Sequence, residues 1–495
     1  MIQRPLSQAP LQPFLTRSEL WVLGGHILLF VFAAAPLFLH LAPPFLDYHN
    51  HLARAYVIQN PAAFEGVYAV QWQIAPYILS DLTYQLFASL WPIYQAGQYF
   101  TVFCNALIVL GVVLISRKLH GRISAATLLV YFFIYNMAMI LGLVNYLLGM
   151  GVALISFYLW LCVRDHRFAW PVLGIIFLVN FFVHAISFGC LGLLIAAYEV
   201  LPLLRQPRQA AQRAGAVLAA ALPCFIILLL APRATLSGGT SWPDTQSMGL
   251  VFTASTAIAG GPELFLLSLL LPALWFAGVI KFREGFGGPV VLLAAFSFLL
   301  PHTLMGIVFF GIRLPIFLSF LVCAVTSFAG QRRIITAIVL TIMTLLGLYN
   351  FGALNKMIDE CGAKHALFVK ELAAIKLDPR QSIQVVNRSA AACELGGDVF
   401  YFAHAAVIDK QAFIPFLYTV IPPLKPAGLY ADLHQTDVQA ITYEAFMQQT
   451  AADHHRYRYV LVFDDQNRPN FSSRDFKLIG QGTFFKFYEN IHYKP

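Results

Sequence analysis

Charge is what this sequence has least of. Only 11% of its 495 residues are Asp, Glu, Lys or Arg, against 59% hydrophobic. A soluble chain of this length does not carry so much apolar surface, and a mean hydropathy of +0.69 calls for many membrane spans. Cysteine is also sparse. None of the seven stands at metal-ligand spacing, and Cys104, Cys162, Cys190, Cys224 and Cys323 lie inside apolar runs as small core residues. Glycine-rich phosphate loops, a dinucleotide fingerprint and a Ser-His-Asp pattern are absent, as are internal repeats and low-complexity runs. The net charge of +8 is scattered in small groups between apolar spans. It therefore reads as topology, with no nucleic-acid partner. What is abundant is aromatic, with 43 Phe and 21 Tyr, as suits rings that face lipid and line its interfaces.

The apolar runs predict about eleven spans, near 20–41, 98–116, 123–141, 143–163, 168–185, 186–203, 214–231, 263–280, 288–311, 314–330 and 334–350. Ala33-Ala34-Ala35 in the first run raises a cleaved signal peptide, but the apolar run continues past it and the segment reads as retained. Alternate connections collect the basic residues: Arg117, Lys118 and Arg122; Arg164 and Arg167; Arg205, Arg208 and Arg213; Lys281 and Arg283; Arg332 and Arg333. The opposite connections hold little beyond Arg54, Arg233 and Arg313. Cytoplasmic loops are the basic ones, so residues 1–19 read as a cytoplasmic tail, 20–350 as the transmembrane domain and 351–495 as an outer domain. In a bacterium that places the protein in the inner membrane with its carboxyl end in the periplasm.

Residues 42–97 are too mixed for a span and read as a first outer loop of interfacial helices. The tail changes character. Residues 353–376 suggest a linking helix, and 382–386, 459–463 and 484–488 suggest strands, with Gly480-Gln481-Gly482 as a turn. The fold class is thus an α-helical polytopic membrane protein with a small carboxyl-terminal α/β domain outside. Cys361 and Cys393 lie in this tail, where an oxidising compartment permits a disulfide.

One polar stretch interrupts the apolar pattern: Pro43-Pro44-Phe45-Leu46-Asp47-Tyr48-His49-Asn50-His51-Leu52-Ala53-Arg54. The two prolines stop the preceding helix. A new helix from Leu46 sets Asp47 and His51 at i and i+4 on one face, with Arg54 near them. By the same topology His184, His302, Arg313, Asn136 and Asn145 come to the outer face. Charge beside lipid is costly, so these positions ask for a purpose. An arginine holds phosphate through two parallel bonds. An acid serves as a base toward a hydroxyl. Histidine donates, accepts a proton or binds a divalent cation. Together they fit group transfer from a lipid phosphate, with inversion at a sugar carbon.

The layout resembles the integral-membrane glycosyltransferases of the GT-C superfamily that depend on polyprenyl-phosphate sugars. The resemblance rests on a first span, a long first outer loop with an acid near its start (here Asp47), many further spans and a soluble outer domain. It implies a membrane glycosyltransferase with Asp47 as catalytic base, a lipid-phosphate-linked sugar donor, and a glycan, lipid or protein acceptor. Arg313, His302, His184 and Arg54 are the candidates for the donor phosphate. Metal-dependent members pair acids in this loop, whereas this chain has Asp47-Tyr48-His49, so His49 and His51 are the candidate ligands for Mg or Mn. The competing expectations are a polytopic transporter or lipid flippase and a non-enzymatic polysaccharide assembly component.

Overall fold

The computed structural model describes residues 15–230, 239–242, 254–255, 274–275, 277–304, 309–328, 333–388, 392–393, 397–417, 423–431, 441–448, 456–464 and 475–493. In chain order the first elements are α1 (Arg17–Ala34), α2 (Tyr48–Gln59), β1 (Tyr68–Val70), α3 (Ile78–Leu90) and α4 (Ile93–His120). Then come α5 (Val130–Phe133), α6 (Met137–Ile140), α7 (Val144–Val163), α8 (Ala169–Val183), α9 (Ala185–Val200) and α10 (Pro207–Leu230). A short β2 (Ile280–Phe282), α11 (Gly287–Leu299), α12 (Arg313–Val325) and β3 (Thr326–Phe328) lead to α13 (Arg333–Ala374). The tail adds β4 (Ile383–Asn387), β5 (Ala392–Cys393), β6 (Gly397–Asp398), α14 (Ala405–Lys410) and β7 (Leu424–Pro426). It ends with β8 (Ile441–Thr442), α15 (Tyr443–Gln448), β9 (Tyr459–Phe463), β10 (Phe476–Gln481) and β11 (Phe485–Asn490). These elements divide into two compact units. One comprises Met1–Ala35, Ile74–Ser80 and Thr101–Ala353, and the other Pro36–Gln73, Asp81–Phe100 and Leu354–Pro495.

The first unit is helical. Among the described residues five helices are long and apolar enough to cross a membrane: Arg17–Phe38, Ile93–His120, Val144–Val163, Ala185–Leu203 and Pro207–Leu230. Thr16 opens α1 with a reciprocal cap, its hydroxyl accepting from the Glu19 amide while the Glu19 carboxylate accepts from the Thr16 amide. Trp21, Ile27, Leu28 and Val31 on the same helix stay exposed, the surface expected against lipid. Where α4 meets α7 the helices touch through glycine. A Cβ on Gly111 would lie 2.6 Å from that of Leu154, and one on Gly151 would lie 2.6 Å from that of Leu107, so the backbones approach as closely as small residues allow.

Three expected spans are shorter than their apolar runs. Residues 123–141 form a 3-10 turn over Ala125–Leu129 followed by α5 and α6. Asn136 marks the break, because its side chain accepts from the Met139 amide and its amide donates to the carbonyls of Phe133 and Ile134, while Ser124 caps the first turn at the start of the run. The 288–311 run is helical only to Leu299. Leu300 is extended and Pro301 follows, so His302 lies in the connection before α12 and outside any helix. The 314–330 run ends as α12 at Val325 and passes into β3, which pairs with β2. Residues 263–273 of the expected 263–280 span lie outside the described residues. The last span and the linking helix are one element, α13, of 42 residues, or about 63 Å.

The second unit is built on a five-stranded sheet of order β10-β11-β9-β4-β8. β4 runs parallel to β8 and β9, while β9, β11 and β10 are antiparallel neighbours. All five residues of β9 are buried, as a strand covered on both faces requires. The three strands expected from the sequence are present. Gly480 sits inside β10 at a register shift instead of in the turn, which falls over 482–484. Phe368 on α13 packs on Phe463 and Phe485 at 5.5 and 4.8 Å between ring centroids.

Part of the first loop is built into the same unit. β1 pairs with β7, the Tyr68 hydroxyl donates to the Ile414 carbonyl and accepts from its amide, and Arg380 donates to the carbonyls of Ala62 and Ala63. The helix α2 is buried along nearly its whole length. By contrast α3 keeps Leu82, Leu86 and Leu90 exposed at four-residue spacing, the stripe of an interfacial helix.

Candidate functional site

Each unit holds one group of the expected polar residues. In the second unit Asp47 is the N-cap residue of α2, but its side chain makes no capping bond. It is instead turned to His51, whose Nε2 lies 3.4 Å from Asp47 Oδ2. The i, i+4 pairing expected from the sequence is therefore present. Arg54 is committed elsewhere. Its Nε and a terminal nitrogen donate to the two oxygens of Asp81 at 3.2 and 2.8 Å, and both side chains are buried. Among the described residues the guanidinium of Arg54 is thus paired with a buried carboxylate.

His49 points away from His51, as residues two apart on a helix must. Its ring packs on His365 of α13 at 4.2 Å and on Phe402 at 5.6 Å. His404 lies in the same interior, its Nδ1 bonded to the Tyr401 carbonyl at 2.9 Å. Among the described residues His49 Nε2, both nitrogens of His365 and His404 Nε2 have no hydrogen-bond partner. Burial holds all three imidazoles neutral. It carries His49 well below the usual histidine range, with His365 and His404 adding to the effect. It takes His365 down to about 3 and His404 to about 4, the latter against the pull of the Tyr401 carbonyl and of the Asp47 charge. His49 and His51 thus do not converge on one ion. No three His, Cys, Asp or Glu side chains among the described residues are placed to share a metal. Cys361 is buried on α13, and the side chain of Cys393 lies outside the described residues.

In the first unit Arg313 opens α12 and His184 caps α9. Arg313 is only 6% exposed and His184 3%. The guanidinium lies over the ring of Tyr146 at 5.4 Å, and its Nε donates to the Phe309 carbonyl. The Tyr146 hydroxyl donates to the Arg313 carbonyl and holds the start of α12. His184 Nδ1 accepts from the Ser187 amide at 3.3 Å. A Cβ at Gly149 would collide with both Ser187 and His184, so glycine lets α7 pass this corner. Because Nδ1 accepts, the neutral imidazole carries its proton on Nε2. That nitrogen lies 3.4 Å from a terminal nitrogen of Arg313. Two donors therefore face one another, and among the described residues no carboxylate pairs with Arg313. His302 lies beside this group, its ring 5.5 Å from that of Phe309 and its carbonyl accepting from the Phe310 amide.

Sequence reasoning did not single out Tyr77, Tyr146, His365 or His404. Tyr77 sets the edge of its ring on His184 at 4.8 Å. Only the Pro76-Tyr77 pair within the first loop hinted at an unusual backbone there.

No protein-family model and no curated protein sequence matches the chain. Solved structures do match. Apo ArnT from Cupriavidus metallidurans aligns over 97% of this chain and 100% of its own at 11% identity, with a TM-score of 0.50. ArnT from the same organism bound to undecaprenyl phosphate aligns over 96% and 99% at 12% identity, with a TM-score of 0.48. The fold is therefore similar to that of apo ArnT along nearly the whole chain.

Proposed function

We propose that this protein is a glycosyltransferase of the bacterial inner membrane that moves a sugar from a lipid-phosphate donor to an acceptor hydroxyl on the outer face. The observation that carries the reading is the buried guanidinium of Arg313, which lies beside His184 and has no carboxylate partner among the described residues. A phosphate oxygen beside a guanidinium forms charge-assisted bonds. In this reading Asp47 accepts the proton of the acceptor hydroxyl, and that oxygen attacks the anomeric carbon as the bond to the donor phosphate breaks. The lipid phosphate leaves with its negative charge held by Arg313, and the configuration inverts. Support for Asp47 is its freedom from capping and its pairing with His51, an arrangement that keeps an acid oriented. Orientation follows from the basic loops, with the amino terminus inside and the carboxyl-terminal domain in the periplasm. The Cys361–Cys393 disulfide is part of the same proposal.

The test is complementation by Asp47→Asn in a strain lacking the gene, scored on cell-surface glycan, with protein level and membrane insertion checked in parallel. Asn keeps the shape and removes the base. We expect turnover to fall by about 10²–10⁴ and glycan to be lost with protein present. Unchanged glycan would return the loop to ordinary polar surface and bring the transporter and assembly readings forward.

A further inference from the structure

The helices α7, α8, α9 and α10 pack against one another, and the turns from α7 to α8 and from α9 to α10 come together at one end of the group. Glu199 of α9 ties them. It is only 4% exposed and accepts from the indole nitrogen of Trp160 on α7 at 3.1 Å. It also stands 3.5 Å from Arg164 at the end of α7 and 3.5 Å from Arg213 of α10. One buried carboxylate thus serves two guanidiniums. Arg167, Arg205 and Arg208 are exposed at the same end, and among the described residues no carboxylate pairs with them. Asp165, 3.7 Å from Arg164 and mostly exposed, is the second acid here, so five arginines stand with two acids.

Orientation in a membrane asks only that such loops be basic. These arginines are also held in place. Arg164 lies over the ring of Tyr198 at 4.7 Å, Arg167 over Phe168 at 4.6 Å and Arg213 over Trp170 at 5.5 Å. A guanidinium stacked on a ring contacts it with its face and keeps its in-plane N–H donors for an oxyanion. Phe168 and Leu204, 52% and 62% exposed, set apolar surface beside those donors. Positive charge edged by exposed apolar side chains matches the head group and first carbons of an anionic lipid.

We propose that the α7–α8 and α9–α10 turns form a binding site for the head group of an anionic phospholipid, on the face that the basic loops mark as cytoplasmic. The site draws on neither Asp47 nor Arg313, so it stands or falls apart from the reaction proposed above. The experiment is native mass spectrometry of purified full-length protein in detergent, titrated with phosphatidylglycerol and with phosphatidylethanolamine of matched chains. The wild type is compared with the triple variant Arg167→Gln, Arg205→Gln, Arg208→Gln. A control triple, Arg122→Gln, Lys281→Gln, Arg283→Gln, removes the same charge from other basic connections. All six side chains lie outside the buried core, and melting temperatures confirm that both variants fold. The wild type is expected to prefer phosphatidylglycerol. The first triple should lose about tenfold or more of that preference while binding phosphatidylethanolamine unchanged, and the control triple should keep it. Equal losses in the two triples would reduce the effect to net charge and overturn the site. So would a wild type without preference, or phosphatidylglycerol displaced by inorganic phosphate alone.

Discussion

At the scale of single residues, the buried Arg54–Asp81 pair is the clearest case of a charge held for structure. Both side chains are nearly excluded from water, and the two parallel bonds offset a desolvation cost that neither ion could bear alone. Asp81→Ala should destabilise the second unit by about 3–5 kcal/mol, read as a lower melting temperature or lost expression. A variant that melts like the wild type would show that water reaches Arg54. This pair could not be read from the sequence, since the partners stand 27 residues apart and nothing in a one-dimensional pattern joins them. The Asp47–His51 pair could be read, because helix geometry alone sets i against i+4. Tyr77 marks the opposite limit. Its backbone takes a positive φ, and no residue type announces one.

At the scale of elements, apolar length and helix length part company. The runs at 123–141 and 288–311 each looked long enough to span a bilayer, yet Asn136 divides the first and Pro301 follows the end of the second. Hydropathy averages over such residues and cannot see that a side chain has taken a backbone bond. Where no such residue intervenes, as in α4 and α7, run and helix agree. The crossing of α4 and α7 gives the test at this scale. A methyl added by Gly151→Ala would sit 2.6 Å from Leu107 Cβ and 3.1 Å from the Ile108 amide nitrogen. The helices must separate, at a cost of about 1–3 kcal/mol, measurable as a drop in thermal stability in detergent. An unchanged melting temperature would show that α4 and α7 slide past one another freely.

At the scale of the whole molecule, the second unit carries a built-in sensitivity to acid. His49, His365 and His404 are neutral when folded and titrate near 6.5 when unfolded. Their folded pKa values are depressed, so the stability they permit is complete above about pH 6.5 and falls as pH drops toward about 4 and 3. Each histidine contributes a slope of up to about 1.4 kcal/mol per pH unit. Hydrogen exchange at the amides of α2 should quicken steeply between pH 6.5 and 5, and His365→Phe should make that dependence shallower by about a third. A flat wild-type profile would mean that these rings are already solvated. The tail strands were legible in the sequence because buried strands are short, β-branched and aromatic. The joining of 36–73 to the tail was not, since β1 and β7 are three residues each. That joining also has a consequence in time. Val70 waits for Leu424, 354 positions later, which at 5–20 residues per second is about 20–70 s of synthesis. For most of that interval α2, with its buried histidines and its Asp47, lacks the segment 399–410 that later packs on it. A segment translated late therefore completes an early part of the loop, and a ribosome stalled before residue 424 would leave a chain threaded through the membrane but unfinished in its first outer loop.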